Sequence, residues 1–409
     1  GIPIENVSTS MTINATASTI LAMYVNSAEG QAIPRSVLRG TTQNDILKEY
    51  AARNTYIYPP EDSFNLAIDL IAFCSSEMPK WHPISISGYH MREAGANAVQ
   101  ELAYTFSDAI EYSSAMISRG LNADSFCSHL SFFFACRNNF FEEIAKFRAA
   151  RRMWAKIASE RLGSKKQDSM KLKFHVQTSG ETLTAQQPEN NIVRVAIQAL
   201  AAVLGGAQSL HTNSKDEALG LPTEEAVKIA LRTQQVIAEE TGVQKTVDPV
   251  GGSYYVEKLT DEIESKAFEE MKKIESFGGA LAAIKSGYIQ NEIQKSAYAF
   301  QKSVDSGENT IVGVNKFNQE NEQRIRALTI SKRSVDRQLR SLRSFKAKRR
   351  KAAVERVLNR LEAEASKDVF ERKNLTHFIL EAVKERATTG EISGALRRAY
   401  GEYHPRQSL

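Results

Sequence analysis

Four short polar groups stand directly behind β-rich runs, at residues 41–43, 88–90, 177–180 and 211–213. Their side chains are of the binding kind. Gln43, Gln177 and Asn213 are amides that donate and accept at once, and Thr41 adds a hydroxyl. His90 can hold or give a proton near neutrality, and the phenol of Tyr89 precedes it. Arg53 follows the first group and offers a planar fork that grips a carboxylate through two parallel N–H···O bonds. Glu217 follows the last group, and a carboxylate accepts from two hydroxyls together. Taken singly, each has a plainer meaning. Arg53 is then a surface arginine in a loop, His90 a core histidine at a strand end, and Asn213 and Glu217 a helix cap with its first-turn acid.

The elements that must hold these residues alternate. β-rich segments fall at 7–13, 37–42, 84–87, 130–134, 172–176 and 207–211, and most precede a stretch of helical period. In residues 140–157, Phe140, Ile144, Phe147, Trp154 and Ile157 lie near one face, and a second helix is expected over 93–104. Strands alternating with amphipathic helices indicate parallel βαβ units, in a doubly wound sheet or a (β/α)8 TIM barrel. Polar groups behind many strands, rather than at one switch point, favour the barrel, whose active sites gather at the C-terminal ends of the strands. A closed barrel needs eight strands, so the barrel is expected to be incomplete at its N-terminus, with the chain starting inside a domain. Neither GxGxxG nor GxxxxGK[ST] opens a helix, and no Cys/His group has zinc spacing, so no metal site is expected.

From about residue 258 the chain turns into long helical stretches rich in Glu, Lys, Arg, Gln and Ala. The expected division is a partial barrel domain over 1–257 and a helical C-terminal extension over 258–409. One charged amphipathic helix is expected over 336–364, with Leu339, Leu342, Phe345, Val354, Val357, Leu358 and Leu361 as its stripe. The formal charge of +5 is small for 409 residues, but residues 321–351 hold about a dozen Lys/Arg against a couple of acids. No aromatic platform accompanies that run, so it reads as a solvated helix face or subunit contact rather than a nucleic-acid site.

A hydrophobic fraction of 42% and a charged fraction of 25% suit a globular protein with a sizeable core. The three cysteines, Cys74, Cys127 and Cys136, form no CxxC pair, which fits a reduced, cytoplasmic protein. No apolar run is long enough to span a bilayer, and the opening residues lack the pattern of a signal peptide.

Five long segments carry a resemblance. TTQNDILKEYAARNTYIYPPE (41–61), SISGYHMREAGA (85–96), HVQTSGETLTAQQPENN (175–191), QSLHTNSKDEALGLPTEEA (208–226) and DPVGGSYYVE (248–257) resemble the methylmalonyl-CoA mutase family of acyl-CoA mutases. The pattern is most similar to the archaeal and bacterial type whose cobalamin domain is a separate subunit. The resemblance implies a TIM barrel with the acyl-CoA threaded along its axis, and an adenosylcobalamin-dependent radical isomerisation of methylmalonyl-CoA and succinyl-CoA. By the matched motifs, Arg53 grips the free carboxylate of the acyl group. His90 hydrogen-bonds the thioester carbonyl, and Tyr89 packs between substrate and corrin. Thr41 and Gln43 contact substrate, and Ser131 follows the segment that touches pantetheine. Gln177 lies over the corrin and adenosyl group, while Asn213 and Glu217 bond the adenosyl ribose. Relatives acting on isobutyryl or 2-hydroxyisobutyryl groups carry glutamine at the position of Arg53, so a dicarboxylic acyl group is expected.

The chain departs from the pattern at three places. His129 stands where many members have an arginine serving the CoA chain, and Glu181 and Val250 stand where single-chain enzymes have tryptophan. The family's cobalamin signature is Asp-x-His-x-x-Gly, and none of the seven histidines has Asp two residues before it. A small cobalamin-binding subunit is therefore the expected partner. A dimer of large subunits and a chaperone GTPase are further implied partners, with no nucleic acid and no membrane. The alternatives are an ethylmalonyl-CoA or 2-hydroxyisobutyryl-CoA mutase, or an inactive truncated subunit that needs a complementing chain.

Overall fold

A computed structural model describes residues 2–319 and 331–404. Among them are seven strands: β1 (Ser8–Met11), β2 (Arg39–Thr42), β3 (Trp81–His82), β4 (Ile84–Ser87), β5 (Leu130–Cys136), β6 (Phe174–Thr178) and β7 (Ser209–His211). Each of the six expected β segments overlaps one. The two-residue β3 escaped the sequence reading because Trp-His before a proline shows no alternation. The architecture is α/β, with parallel sheets and helices in the majority.

The chain divides into two units, each assembled from separated stretches. One comprises residues 1–86, 111–130 and 330–409, the other 87–110 and 131–329. This partition differs from the expected division at 257/258. The reason is visible in the first unit, where C-terminal helices supply core rather than an appendage. Val354, Val357 and Leu361 of the helix Lys351–Ala365 and Ile379 of the helix Leu375–Lys384 are buried, in one cluster with Leu21 and Val25 of Ala17–Glu29 and Leu70 of Pro60–Glu77. Asp69, itself buried, locks the arrangement. It accepts from Arg119 (2.7 Å), from Arg372 and from the Leu375 N–H (3.1 Å). In this unit β1, β2 and β3 pair in that order and in parallel, with Thr9 opposite Gly40 and Gly40 opposite Trp81.

The single helix expected over 336–364 is two, Lys332–Ala347 and Lys351–Ala365. Arg350 is extended (ψ 98°) between them. The end of the basic run pairs with acids of its own unit: Arg349 forks onto Glu391 (2.6 and 2.5 Å) and Arg350 onto Glu385 (3.0 Å). The apolar stripe splits with the helix. Val354, Val357 and Leu361 are buried, whereas Leu339 and Leu342 are exposed. The opening of the basic stretch, residues 321–330, lies outside the described residues.

In the second unit β5, β6 and β7 are parallel, with Phe133 opposite His175, Ala135 opposite Gln177, and Gln177 opposite His211. Alternation sorts their side chains onto two faces. Phe132, Phe134, Phe174 and Val176 point to the helices. There they meet Phe106, Phe147 and Trp154 in an aromatic core, with Phe132 4.8 Å from Trp154 and Phe147 5.5 Å from Phe174. Helix Phe140–Lys156 buries Ile144, Phe147 and Trp154 as its period predicts, and Ile157 continues the face. Its polar side forms a ladder to the helix Tyr254–Ser276: Arg148 to Glu257 (2.6 Å), Arg152 to Asp261 (2.7 Å) and Lys156 to Glu264 (2.6 Å).

The helix expected over 93–104 is also two. Tyr89–Glu93 ends before Gly95 (φ 113°), and Ala98–Ser118 begins after it. A side chain at 95 would run into Ala297, so the glycine both turns the chain and admits a neighbour.

Candidate functional site

The opposite face of the β5–β6–β7 sheet is polar. Ser131, Phe133 and Ala135 on β5, His175 and Gln177 on β6, and Ser209 and His211 on β7 share it by period. Burial pushes the His175 imidazole down to about 4, with the positive form of His211 opposing it further, and burial lowers His211 as well. Both rings are therefore neutral at physiological pH. His175 Nδ1 meets Ser209 Oγ at 2.9 Å.

Gly88 begins the turn behind β4. A Cβ there would strike the Thr105 hydroxyl and the Glu101 side chain, so its absence lets the helix Ala98–Ser118 close on the turn. That closure sets Tyr89 and His90. Tyr89 is buried and stacks on Phe133 (4.7 Å, 4°). The His90 ring stands edge-on to both Tyr89 (5.2 Å) and Phe133 (5.8 Å), and its Nδ1 lies 3.0 Å from Ser87 Oγ. Burial raises the Tyr89 phenol, and the charge of Glu93 adds to it, so the group stays protonated.

Behind β6 and β7 the predicted residues are tied together. Gln177 Nε2 donates to Asn213 Oδ1 (2.7 Å), and Asn213 Nδ2 donates to the Thr178 carbonyl (2.7 Å). The Asn213 N–H donates to Thr178 Oγ1 (2.9 Å). Asn213 is therefore no helix cap. The next helix starts at Glu224, and Thr223 caps it. Gly180 sits at the convergence: a Cβ there would lie 3.0 Å from Glu93 Oε2, 3.2 Å from Asn213 Nδ2 and 3.5 Å from Glu217 Cγ. No described residue donates a hydrogen bond to the exposed Glu217 carboxylate, and desolvation, with Asp216 beside it, raises it above the usual range.

Glu93 was not among the expected residues. It accepts from Ser179 Oγ (2.5 Å) and from the Glu181 N–H (2.9 Å), and so holds the loop that carries Gly180. Burial raises its carboxyl to about 7, the Ser179 bond opposing this and the Glu181 charge adding to it. Nothing but its place three residues after His90, on the same turn, could have marked it. The raised value has a thermodynamic consequence. A carboxyl whose folded pKa exceeds its unfolded one contributes stability that is full below the unfolded value, 4.5, and is lost as pH rises through about 7. Glu93→Gln should therefore gain stability relative to the parent between pH 5 and pH 8, by up to about 3 kcal/mol. Urea unfolding at the two pH values measures it, and a pH-independent difference would contradict the assignment.

Glu181, one of the departures, pairs with Arg137, whose guanidinium also lies over Phe300 (5.6 Å). Val250 lies in the turn before Tyr254–Ser276. His129, in the first unit, accepts from His82 Nδ1 through its carbonyl (3.0 Å).

Thr41, Gln43 and Arg53 belong to the first unit, apart from the set just described. Thr41 is in β2, paired with Ser10 and His82. Gln43 follows it. Its N–H donates to the Met11 carbonyl (3.2 Å), its carbonyl accepts from Ser85 (2.8 Å), and its Oε1 accepts from Asn14 Nδ2 (3.1 Å). The segment then turns at the Tyr112 hydroxyl, which accepts from the N–H groups of Ile46 (2.8 Å) and Leu47 (3.0 Å) and donates to Asp45 (2.9 Å). Arg53 ends a π-helical turn, Glu49–Arg53, with its side chain 40% exposed. The structure thus gathers Tyr89, His90, Gln177, Asn213 and Glu217 in one unit, with Ser131 on the adjoining strand face. All three cysteines are buried, and none is in a disulfide. Among the described residues no group of His, Cys, Asp and Glu could hold a metal ion, and no helix is long and apolar enough to cross a membrane.

The profile of the family described as methylmalonyl-CoA mutase matches residues 1–402. The chain is 48% identical over 404 residues to a methylmalonyl-CoA mutase of Cereibacter sphaeroides, covering 98% of this chain and 56% of that protein. It is 47% identical over 403 residues to one of Rhizobium meliloti, with 98% and 56% covered. Against the mitochondrial methylmalonyl-CoA mutase of Homo sapiens the identity is 46% over 405 residues, with 98% and 54% covered. The chain therefore spans a little over half the length of the curated relatives it matches. On a profile match over nearly its whole length and identities near one half, the chain belongs to the methylmalonyl-CoA mutase family.

Proposed function

We propose that this chain is the substrate-binding and catalytic part of an adenosylcobalamin-dependent mutase that interconverts methylmalonyl-CoA and succinyl-CoA. The observation that carries the reading is the Tyr89–His90 turn, with Tyr89 stacked on Phe133 and His90 edge-on to it, beside the bonded Gln177–Asn213 pair and the Glu217 carboxylate. In this reading the fold is a (β/α)8 barrel, incomplete at its N-terminus, whose functional residues stand at the C-terminal ends of the strands.

His90 then donates a hydrogen bond to the thioester carbonyl. Withdrawing electron density from that oxygen eases 1,2-migration of the thioester carbon between radical centres. Tyr89 covers the reacting group and excludes water from it. Arg53 grips the free carboxylate through its fork, Thr41 and Gln43 contact the acyl group, and Ser131 contacts the pantetheine chain. The donor set behind β6 and β7 fits a nucleoside. Glu217 is a carboxylate that lacks a described donor and suits two ribose hydroxyls, Asn213 and Gln177 are already oriented, and Gly180 leaves the space between them open. Adenosylcobalamin, when bound, supplies the radical chemistry, and the protein supplies orientation and electrostatics. A cobalamin-binding module completes the site, and the resemblance to the split-subunit type of the family is what supports its being a separate small subunit. A dimer of large subunits, protection by a chaperone GTPase and a cytoplasmic location complete the proposal.

The test combines the chain with a cobalamin-binding subunit and adenosylcobalamin, then follows succinyl-CoA formation, with ethylmalonyl-CoA and 2-hydroxyisobutyryl-CoA as competing substrates. Arg53→Gln should lower kcat/KM for methylmalonyl-CoA about 10²-fold, the cost of losing a charged hydrogen-bonded pair. Unchanged kinetics would remove Arg53 from the pocket. Preference for 2-hydroxyisobutyryl-CoA would replace the substrate assignment, and inactivity with every acyl-CoA would favour a subunit that needs a complementing chain.

A further inference from the structure

The turn that carries Arg53 is built around a carboxylate four residues earlier. A π-turn such as Glu49–Arg53 is an uncommon geometry that recurs at functional sites. Here Glu49 organises it from both ends. Its carbonyl accepts from the Asn54 N–H at 2.7 Å, with Asn54 in the left-handed region (φ 58°), and its Oε2 accepts from the Thr55 hydroxyl. Its Oε1 lies 3.2 Å from the Lys48 ammonium, and both of those side chains are fully enclosed, at 0% exposure. Arg53 approaches the same oxygen from the solvent side, with Nη1 at 3.5 Å.

The difference between those approaches matters. At 3.5 Å the guanidinium is attracted but makes no hydrogen bond to Oε1. Its N–H donors are therefore not consumed, and the fork stays available for a second carboxylate. An ordinary surface pair would saturate them. Lys48 lies buried between the charges of Glu49 and Asp45, and Arg53 is the cation at the exposed end of the group. Burying a carboxylate is costly unless it is paired, and here the pairing orients a cation that is itself left open.

We propose that Glu49 is a positioning residue for recognition of a free carboxylate. It holds the Arg53 guanidinium by charge, without occupying its donors, and thereby contributes to preference for acyl-CoA substrates that carry a second carboxyl group. The inference rests on the acyl-CoA reading above.

The test is calorimetric binding of methylmalonyl-CoA and of propionyl-CoA, which lacks the free carboxylate, to the full chain. Glu49→Gln should weaken methylmalonyl-CoA binding about tenfold and change propionyl-CoA binding by less than about twofold. Equal weakening of both ligands, or of neither, overturns the proposal. Arg53→Gln is the control for the underlying reading: it should abolish the preference, and if it does not, the carboxylate assignment of Arg53 fails whatever Glu49 does. Should Glu49→Gln not fold, Thr55→Val removes only the hydroxyl that fixes Oε2. It should weaken methylmalonyl-CoA binding selectively by about threefold, and an unaltered preference there counts against the proposal.

Discussion

Replacing His90 by alanine should lower kcat for methylmalonyl-CoA about 10²- to 10⁴-fold, the range over which a positioned proton donor contributes. KM should change much less. The expectation follows from how the ring is held. Gly88 admits the helix Ala98–Ser118, the turn sets Tyr89 against Phe133, and the His90 ring is then bracketed edge-on by both aromatics with Nδ1 at Ser87. In the proposed reaction an imidazole so oriented would act mainly on charge that develops at the substrate oxygen during migration, so its loss should fall on kcat. His90→Gln keeps a donor and should retain part of the rate. Steady-state kinetics of the complex decide the matter. Equal kcat for parent and His90→Ala would exclude the assigned role, and a purely structural effect would appear as a lowered melting temperature with proportionate loss for every substrate.

Replacing Lys146 by methionine should destabilise the protein by about 3–5 kcal/mol, the cost of leaving buried charge uncompensated. Lys146 is fully enclosed and donates to Glu101 (2.6 Å), Glu143 (2.5 Å) and the Ala135 carbonyl (2.6 Å). Glu101 in turn accepts from the Ala135 N–H (2.7 Å), and Arg92 completes the group at 3.0 Å from Glu143 and 2.8 Å from the Ala96 carbonyl. Two cations and two carboxylates thus balance in the interior, and between them they satisfy both backbone groups of one residue on β5. The Lys146 and Arg92 charges hold Glu143 below the usual carboxylate range against its burial. Without Lys146, Glu143 should take up a proton more readily, so the deficit should shrink as pH falls. Urea unfolding of Lys146→Met at pH 5 and pH 8 gives both numbers. A loss below about 1 kcal/mol would show that the network contributes little net stability.

The candidate residues are legible in the sequence alone. Polar residues behind hydrophobic β runs marked the strand ends, and the five long matched segments assigned a chemistry to Arg53, His90, Gln177, Asn213 and Glu217. Strand positions were legible because alternation and chain punctuation are local. Helix interruptions were not. The break at Gly95 admits Ala297, and the break at Lys348–Arg350 lies where Arg349 and Arg350 meet Glu391 and Glu385, contacts with residues far away in sequence. Glu93 and Glu49 stayed hidden for the same reason, since an acid on a helical turn looks like any solvated acid until its partners are known.

Residue types and their order established the family, the strand-and-helix alternation and the identity of the groups that can do chemistry, because those properties live in short stretches of chain. Folding settled which of those groups share a unit, that the C-terminal helices Lys351–Ala365 and Leu375–Lys384 are core of the first unit, and that Asn213 ties β7 to β6 rather than capping a helix. Burial, pairing and pKa depend on atoms brought close in space, and no local pattern encodes which distant atoms those will be.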